Sequence, residues 1–206
     1  MDNWQTNGVT ATGDPGDGDT ANGGNCSAQI DSVGCDLNNE AQMTANNYHV
    51  HAFLGIWANG KQYAIPDAIG MQNPTDNGNA IGAFTAAYDI HTHDASGIIH
   101  VEDPKVAGTF RTIPASSEPR FNLKTLLDIW GVSLSSSGFA KFSGQTSIYM
   151  GTVSGTNPAT GDDLVTSYTL NNSAPQSILL AHHVAIWIII GPPPATLPEI
   201  DFGIED

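Results

Sequence analysis

The sequence predicts a mainly β domain, an antiparallel β-sandwich or partly open barrel with one short helix, preceded by an acidic Gly/Asn/Asp-rich N-terminal tail. Three observations carry that expectation. Apolar residues recur with period two from Tyr48 onward, an Asn-Gly pair separates two such runs, and a single segment has the spacing of an amphipathic helix.

Val50, Ala52, Leu54 and Ile56 alternate with His49, His51, Phe53 and Trp57, the pattern of a half-buried strand. Asn59-Gly60 follows. Both residues tolerate the positive φ that a two-residue hairpin turn demands, so residues 61–65 read as the returning strand. A loop rich in Asn, Gly and Pro (66–82) leads to a second strand at 84–93, a turn at Asp94-Ala95-Ser96-Gly97, and a return at 98–102. Asn122 is placed as an N-cap, Leu123, Leu126, Leu127 and Trp130 follow i, i+3, i+4, i+7 spacing, and Gly131 ends the helix. Strands are expected at 146–153, 164–170 and 184–190. Gly191-Pro192-Pro193-Pro194 ends the last, because proline cannot donate to a ladder.

Charge excludes several function classes. Among 206 residues there are 6 Lys and Arg against 21 Asp and Glu, a formal net charge of −15, with only 13% of residues charged. The six cations (Lys61, Lys105, Arg111, Arg120, Lys124, Lys141) are scattered and form no basic patch, so no nucleic-acid partner is expected. An anionic membrane surface would repel such a chain. No apolar run approaches the roughly 18 residues of a spanning helix, so no transmembrane segment is expected.

Residues 1–44 form the acidic extension, with seven acidic residues and no Lys or Arg, and residues 45–206 form the folded domain. Cys26 and Cys35 sit close together in a polar segment and are expected to form a disulfide, which would constrain the unfolded chain by roughly 2–3 kcal/mol. A disulfide implies an oxidising location: secreted, extracellular or at the cell surface. Met1-Asp2-Asn3-Trp4 has neither a basic nor an apolar leader region, so the chain reads as one whose leader is already removed. Alternating Asp and Gly at 14–19 offer a candidate calcium site, although position 12 counted from Asp14 is Asn25, where an EF-hand requires Glu.

All seven histidines fall in three clusters: His49 and His51; His91, His93 and His100; His182 and His183. His91 and His93 share a strand face. A four-residue loop at 94–97 sets His91 opposite His100, His93 opposite Ile98 and Asp89 opposite Glu102, with opposed Cβ atoms about 5 Å apart. A one-residue slip would turn His100 to the other face. His91, His93 and His100 are thus expected to bind one transition metal, with His51 as the fourth ligand, His49 next, and at most one of His182 and His183 joining, since adjacent strand residues face opposite ways. Imidazole-rich sites suit copper or zinc, with iron when a carboxylate completes the set, and an extracellular location favours copper. No G-x-S-x-G, H-E-x-x-H or P-loop motif occurs, so no catalytic residue is assigned and a binding or structural role is expected over an enzyme. A His-ligated oxidase or hydrolase would need a general base, for which Asp94 or Glu102 is placed.

Assembly is the second expectation. Ordering a forty-residue extension with few apolar side chains costs roughly 1–2 kcal/mol per residue, more than one short disulfide loop offsets. A neighbouring subunit could supply the difference by strand addition, and the Thr/Val-rich segment 6–12 suits an edge strand. A homo-oligomer, filament or surface-layer subunit follows, with or without functional metal.

Several segments together carry a family resemblance: Tyr48-His-Val-His-Ala, Asn59-Gly60 with Ile65-Pro66 and Ile69-Gly70, the run from His91 to Glu102, Phe121-Asn-Leu with Trp130-Gly131, and Leu180-Ala-His182. The chain resembles, over about residues 48–202, a family of secreted or lipid-anchored bacterial proteins with an H-x-H…H-T-H-x-x-x-G-I-I-H-x-E signature. The family is largely uncharacterised, and the resemblance implies no activity. It aligns His182 with the family's histidine and places His183 where an acidic residue is usual.

Overall fold

The computed structural model describes residues 5–6, 9–10, 29–35, 37, 43–76 and 81–203. The strand predicted from Tyr48 spans Asn47–Ala58 (β1) and turns at Asn59-Gly60, both with positive φ (52° and 78°), into Lys61–Tyr63 (β2). The other elements around it are Ile90–His91 (β3), Ile98–Ala107 (β4), the helix Leu123–Trp130 (α1), Thr146–Gly151 (β5), Thr169–Asn171 (β6) and Val184–Ile190 (β7). The strands make one sheet in the order β6-β5-β7-β1-β4-β3, with β2 also pairing to β1. It does not close into a barrel. All pairs are antiparallel except β7 with β1, which run parallel.

The domain is mainly β with one helix, as the sequence predicts. Helix α1 begins where Asn122 accepts a hydrogen bond from the Thr125 N–H at 3.1 Å and ends at Gly131 with φ 79°. Its Leu126, Ile129 and Trp130 pack on the even face of β1, against Val50, Leu54 and Ile56. The odd face is covered too. Phe53, Trp187 and Ile189 lie beneath a three-stranded sheet (Gly155–Thr156, Asp163–Val165, Ile200–Asp201) through Val165, Ile200 and Phe202. Hence β1 is buried on both faces along its centre and is not the half-buried strand its alternation suggests. The unbroken apolar run of β7 is buried throughout for the same reason.

Two predicted strands divide. Residues 84–93 become Ala86–Ala87, paired with Met71–Gln72, and β3. Residues 164–170 are shared between the small sheet and β6, because the chain changes layers at Tyr168, whose hydroxyl donates to the Pro198 carbonyl at 2.8 Å.

Part of the N-terminal extension is built into the core. Val33 and Leu37 are fully buried, and Leu37 exchanges both backbone hydrogen bonds with Ala87 (2.7 and 3.3 Å). Gln5–Thr6 pairs with Val9–Thr10, so Thr6, Val9 and Thr10, the described residues of the expected edge strand, pair locally. Cys26 and the acidic run at 13–19 lie outside the described residues, and with them the expected disulfide and the candidate calcium site. Among the described residues no helix is long and apolar enough to cross a membrane.

Candidate metal centre

Strand β4 lies between β1 and β3, and its register aligns the histidines. His100 stands opposite His51 on one side and His91 on the other, while Glu102 stands opposite His49. This is the register that a four-residue loop at 94–97 predicts. Asp94 Oδ1 accepts from the Ser96 N–H at 2.8 Å and Ser96 Oγ from the Ile98 N–H at 3.1 Å, which fixes the turn. Between His91 and His93, the buried Thr92 donates to the Pro66 carbonyl at 3.0 Å and accepts from the Ile69 N–H at 2.9 Å, pinning the H-T-H segment to the loop beneath it. Gly70 lets that loop approach. It has φ +78°, and a Cβ there would meet the Ile90 carbonyl oxygen at 2.7 Å.

The donor atoms of His91, His93, His100 and Glu102 lie within 4.8 Å of one another, and so do those of His49, His51 and His100. Each group could hold a metal ion. The fourth donor beside His91, His93 and His100 is Glu102, while His51 and His49 belong to the second group through His100. His91 Nδ1 donates to the Tyr88 carbonyl at 2.8 Å, which leaves Nε2 carrying its lone pair. That nitrogen sits 3.1 Å from His93 Nε2. Two nitrogens each about 2.0–2.1 Å from a tetrahedral ion are roughly 3.3–3.4 Å apart, so the pair is spaced as two ligands of one ion would be. Glu102 Oε1 is 3.1 Å from His49 Nε2 and 3.5 Å from His100 Nδ1.

Electrostatics keep these donors ready. Burial pushes the His91 imidazole down to about 3, against the pull of Glu102 and with His93 and His100 adding to the effect. Burial also takes His51 to about 2, helped by His100, His49 and His182. For Glu102 burial alone would raise the pKa, but hydrogen bonds from His100 and His49 outweigh it and hold the carboxyl well below its usual range. Neutral His91 and His51 beside an ionised Glu102 are in the protonation states a transition metal requires.

The remaining predicted residues are placed differently. The Asp89 carbonyl accepts from the Glu102 N–H at 2.7 Å, but the Asp89 carboxylate turns away to Arg120 at 3.3 Å. Arg120 also binds Asp103, and Glu118 at 3.1 Å. Burial and the neighbouring Asp103 push Asp89 up to about 7. Asp94 caps its own turn and joins neither donor group. His182 and His183 do not face opposite ways. The left-handed backbone at His183 (φ 54°) breaks the strand alternation, and the two rings stack at 3.6 Å. His182 also stacks on Phe110 and lines, with His49, His51 and Met43, a cleft of about 410 Å³. His183 packs on Phe202 and bonds through Nδ1 to Asp163 Oδ2 at 2.7 Å, and His182, His183 and Asp163 make a third group with metal-ligand proximity. Sequence reasoning did not connect Asp163 to this cluster, since it is twenty residues from His183 and arrives through pairing of the small sheet.

No protein-family model, curated protein or solved structure matches the chain.

The buried imidazoles predict an acid-labile fold in metal-free protein. His51 and His91 titrate in the unfolded chain near 6.5 but far lower when folded. Their contribution is therefore complete above about pH 6.5 and lost as pH falls toward the folded values, each by up to about 1.4 kcal/mol per pH unit. Asp89, raised in the fold, works in the opposite direction between its unfolded value and about 7. Urea denaturation of chelator-treated protein at pH 7.5 and 5.5 (about two units apart) should show stability falling in acid, and more steeply for wild type than for His51→Phe. Equal pH dependence of the two proteins would show that His51 is not held neutral by the fold.

Proposed function

We propose that this is an extracytoplasmic transition-metal-binding β-domain protein that holds copper at His91, His93, His100 and Glu102, in a binding or structural role. One observation carries the reading: four donors from two neighbouring strands and the loop that joins them converge within 4.8 Å, with the His91 tautomer fixed by a backbone carbonyl so that its free lone pair faces the group. Three imidazoles and a carboxylate suit copper or zinc, and iron to a lesser degree. Copper is preferred on the compartment that a Cys26–Cys35 disulfide would imply. The H-x-H…H-T-H-x-x-x-G-I-I-H-x-E signature is then a ligand motif, in which each histidine pair supplies one face of a strand and the final His-x-Glu supplies the strand between them. Elemental analysis of untagged protein purified without added metal should find copper. A His91→Ala, His93→Ala double variant should lose at least about tenfold in affinity, and wild-type affinity should fall between about pH 7 and 5, because protonated imidazole cannot coordinate. Unchanged affinity in the double variant would refute the site.

A second reading, compatible with the first, is the subunit of an extracellular filament. Edge strand β6 favours it. It ends the main sheet, carries no Lys or Pro to blunt pairing, and leaves Leu170 51% exposed. The N-terminal segment of a neighbouring copy could add to that edge. Because Val33 and Leu37 belong to the core, the informative truncation removes residues 1–28 and spares 29–44. Full-length protein should assemble in gel filtration and negative-stain images and the truncated chain should stay monomeric. Equal assembly of both would remove the extension from the account.

A further inference from the structure

We propose that the centre takes two metal ions: a closed one at His91, His93, His100 and Glu102, and an open one at His49 and His51, with the Glu102 carboxylate between them. The inference rests on the metal-binding reading above and concerns what that reading leaves over. A tetrahedral ion is saturated by four protein donors. The first group supplies four without His49 or His51, and the second group, His49, His51 and His100, excludes His91 and His93. One ion cannot serve both.

His51 is the surplus donor that most needs explaining. It is 6% exposed, and neither ring nitrogen has a hydrogen-bond partner among the described residues. A buried imidazole is ordinarily satisfied on at least one nitrogen. Here it faces His49 at 4.7 Å and His100 at 4.6 Å, ring to ring. An ion between His51 and His49 satisfies it. Glu102 is placed to serve both positions: Oε1 reaches His49 Nε2 at 3.1 Å and His100 Nδ1 at 3.5 Å, while Oε2 is buried with no hydrogen-bond partner among the described residues. A carboxylate whose Oε1 faces both His49 and His100 also supplies negative charge where two cations would repel.

The two positions differ in access. His91 is fully buried, whereas the His49 side chain is 41% exposed and, with His51, opens onto the cleft beside His182 and Phe110. With His49 and His51 as its imidazole donors the outer ion keeps coordination positions free, which suits a water molecule or a small anion arriving through that cleft.

The test is a copper(II) titration of the full, untagged chain, followed by bound-metal stoichiometry and electron paramagnetic resonance. Wild type should bind two ions, with the signal per copper falling at the second equivalent as the two spins couple. His49→Ala alone, and His49→Ala with His51→Ala, should bind one ion with an undiminished mononuclear signal. Azide should shift the absorption of doubly loaded wild type and leave the double variant unshifted. One ion in wild type would overturn the second site and leave the first standing, and this result needs no variant to fold. Equal azide shifts would overturn the open position, and no bound copper in wild type would remove both sites.

Discussion

The pairing of β4 with both of its neighbours is the constraint on which the site depends. A strand in the middle of a sheet sets two registers at once, and here both bring histidine opposite histidine: His51, His100 and His91 form one row across three strands, with His49 and Glu102 in the next. Side chains alternate between faces, so a slip of one residue in either pairing would send His100 into the apolar core on the helix side. Two unrelated features hold the register. The Asp94–Ser96 turn fixes the β3–β4 loop, and the apolar pattern on the even face of β1 fixes β1 against β4 and β7.

That arrangement works against the stability of the metal-free protein. A buried polar nitrogen without a partner costs about 1–3 kcal/mol, and among the described residues His51 has two of them. Burial also denies His51 and His91 the proton they would gain in water. The fold can carry this because the same face continues into a dry core of Phe53, Trp187, Ile189 and Phe202, and the opposite face is sealed by α1. A bound cation would turn the cost into binding energy, which is how a metal site couples ligand affinity to folding.

Much of this was legible in the sequence, for reasons that are local. Asn122 and Gly131 bound the helix as written, Asn59-Gly60 made the hairpin, and the length of the 94–97 loop was enough to set His91 opposite His100. What the sequence hid was set by distant segments. Alternation on β1 suggested one wet face, but the small sheet that dries that face comes from residues about a hundred positions later. Strand adjacency predicted opposed rings at His182 and His183, and a single left-handed residue stacked them instead. Glu102, two residues from His100 on the same strand, was visible as a neighbouring carboxylate, whereas its meeting with His49 across β1 was not.

The central claim is that nitrogen-rich donors on one sheet face hold a transition metal, and X-ray absorption at the metal edge of protein purified as expressed tests it most directly. The account predicts a first shell of imidazole nitrogens with a carboxylate oxygen at about 2.0–2.2 Å and no sulfur. A shell of oxygen alone, or one containing sulfur, would contradict it.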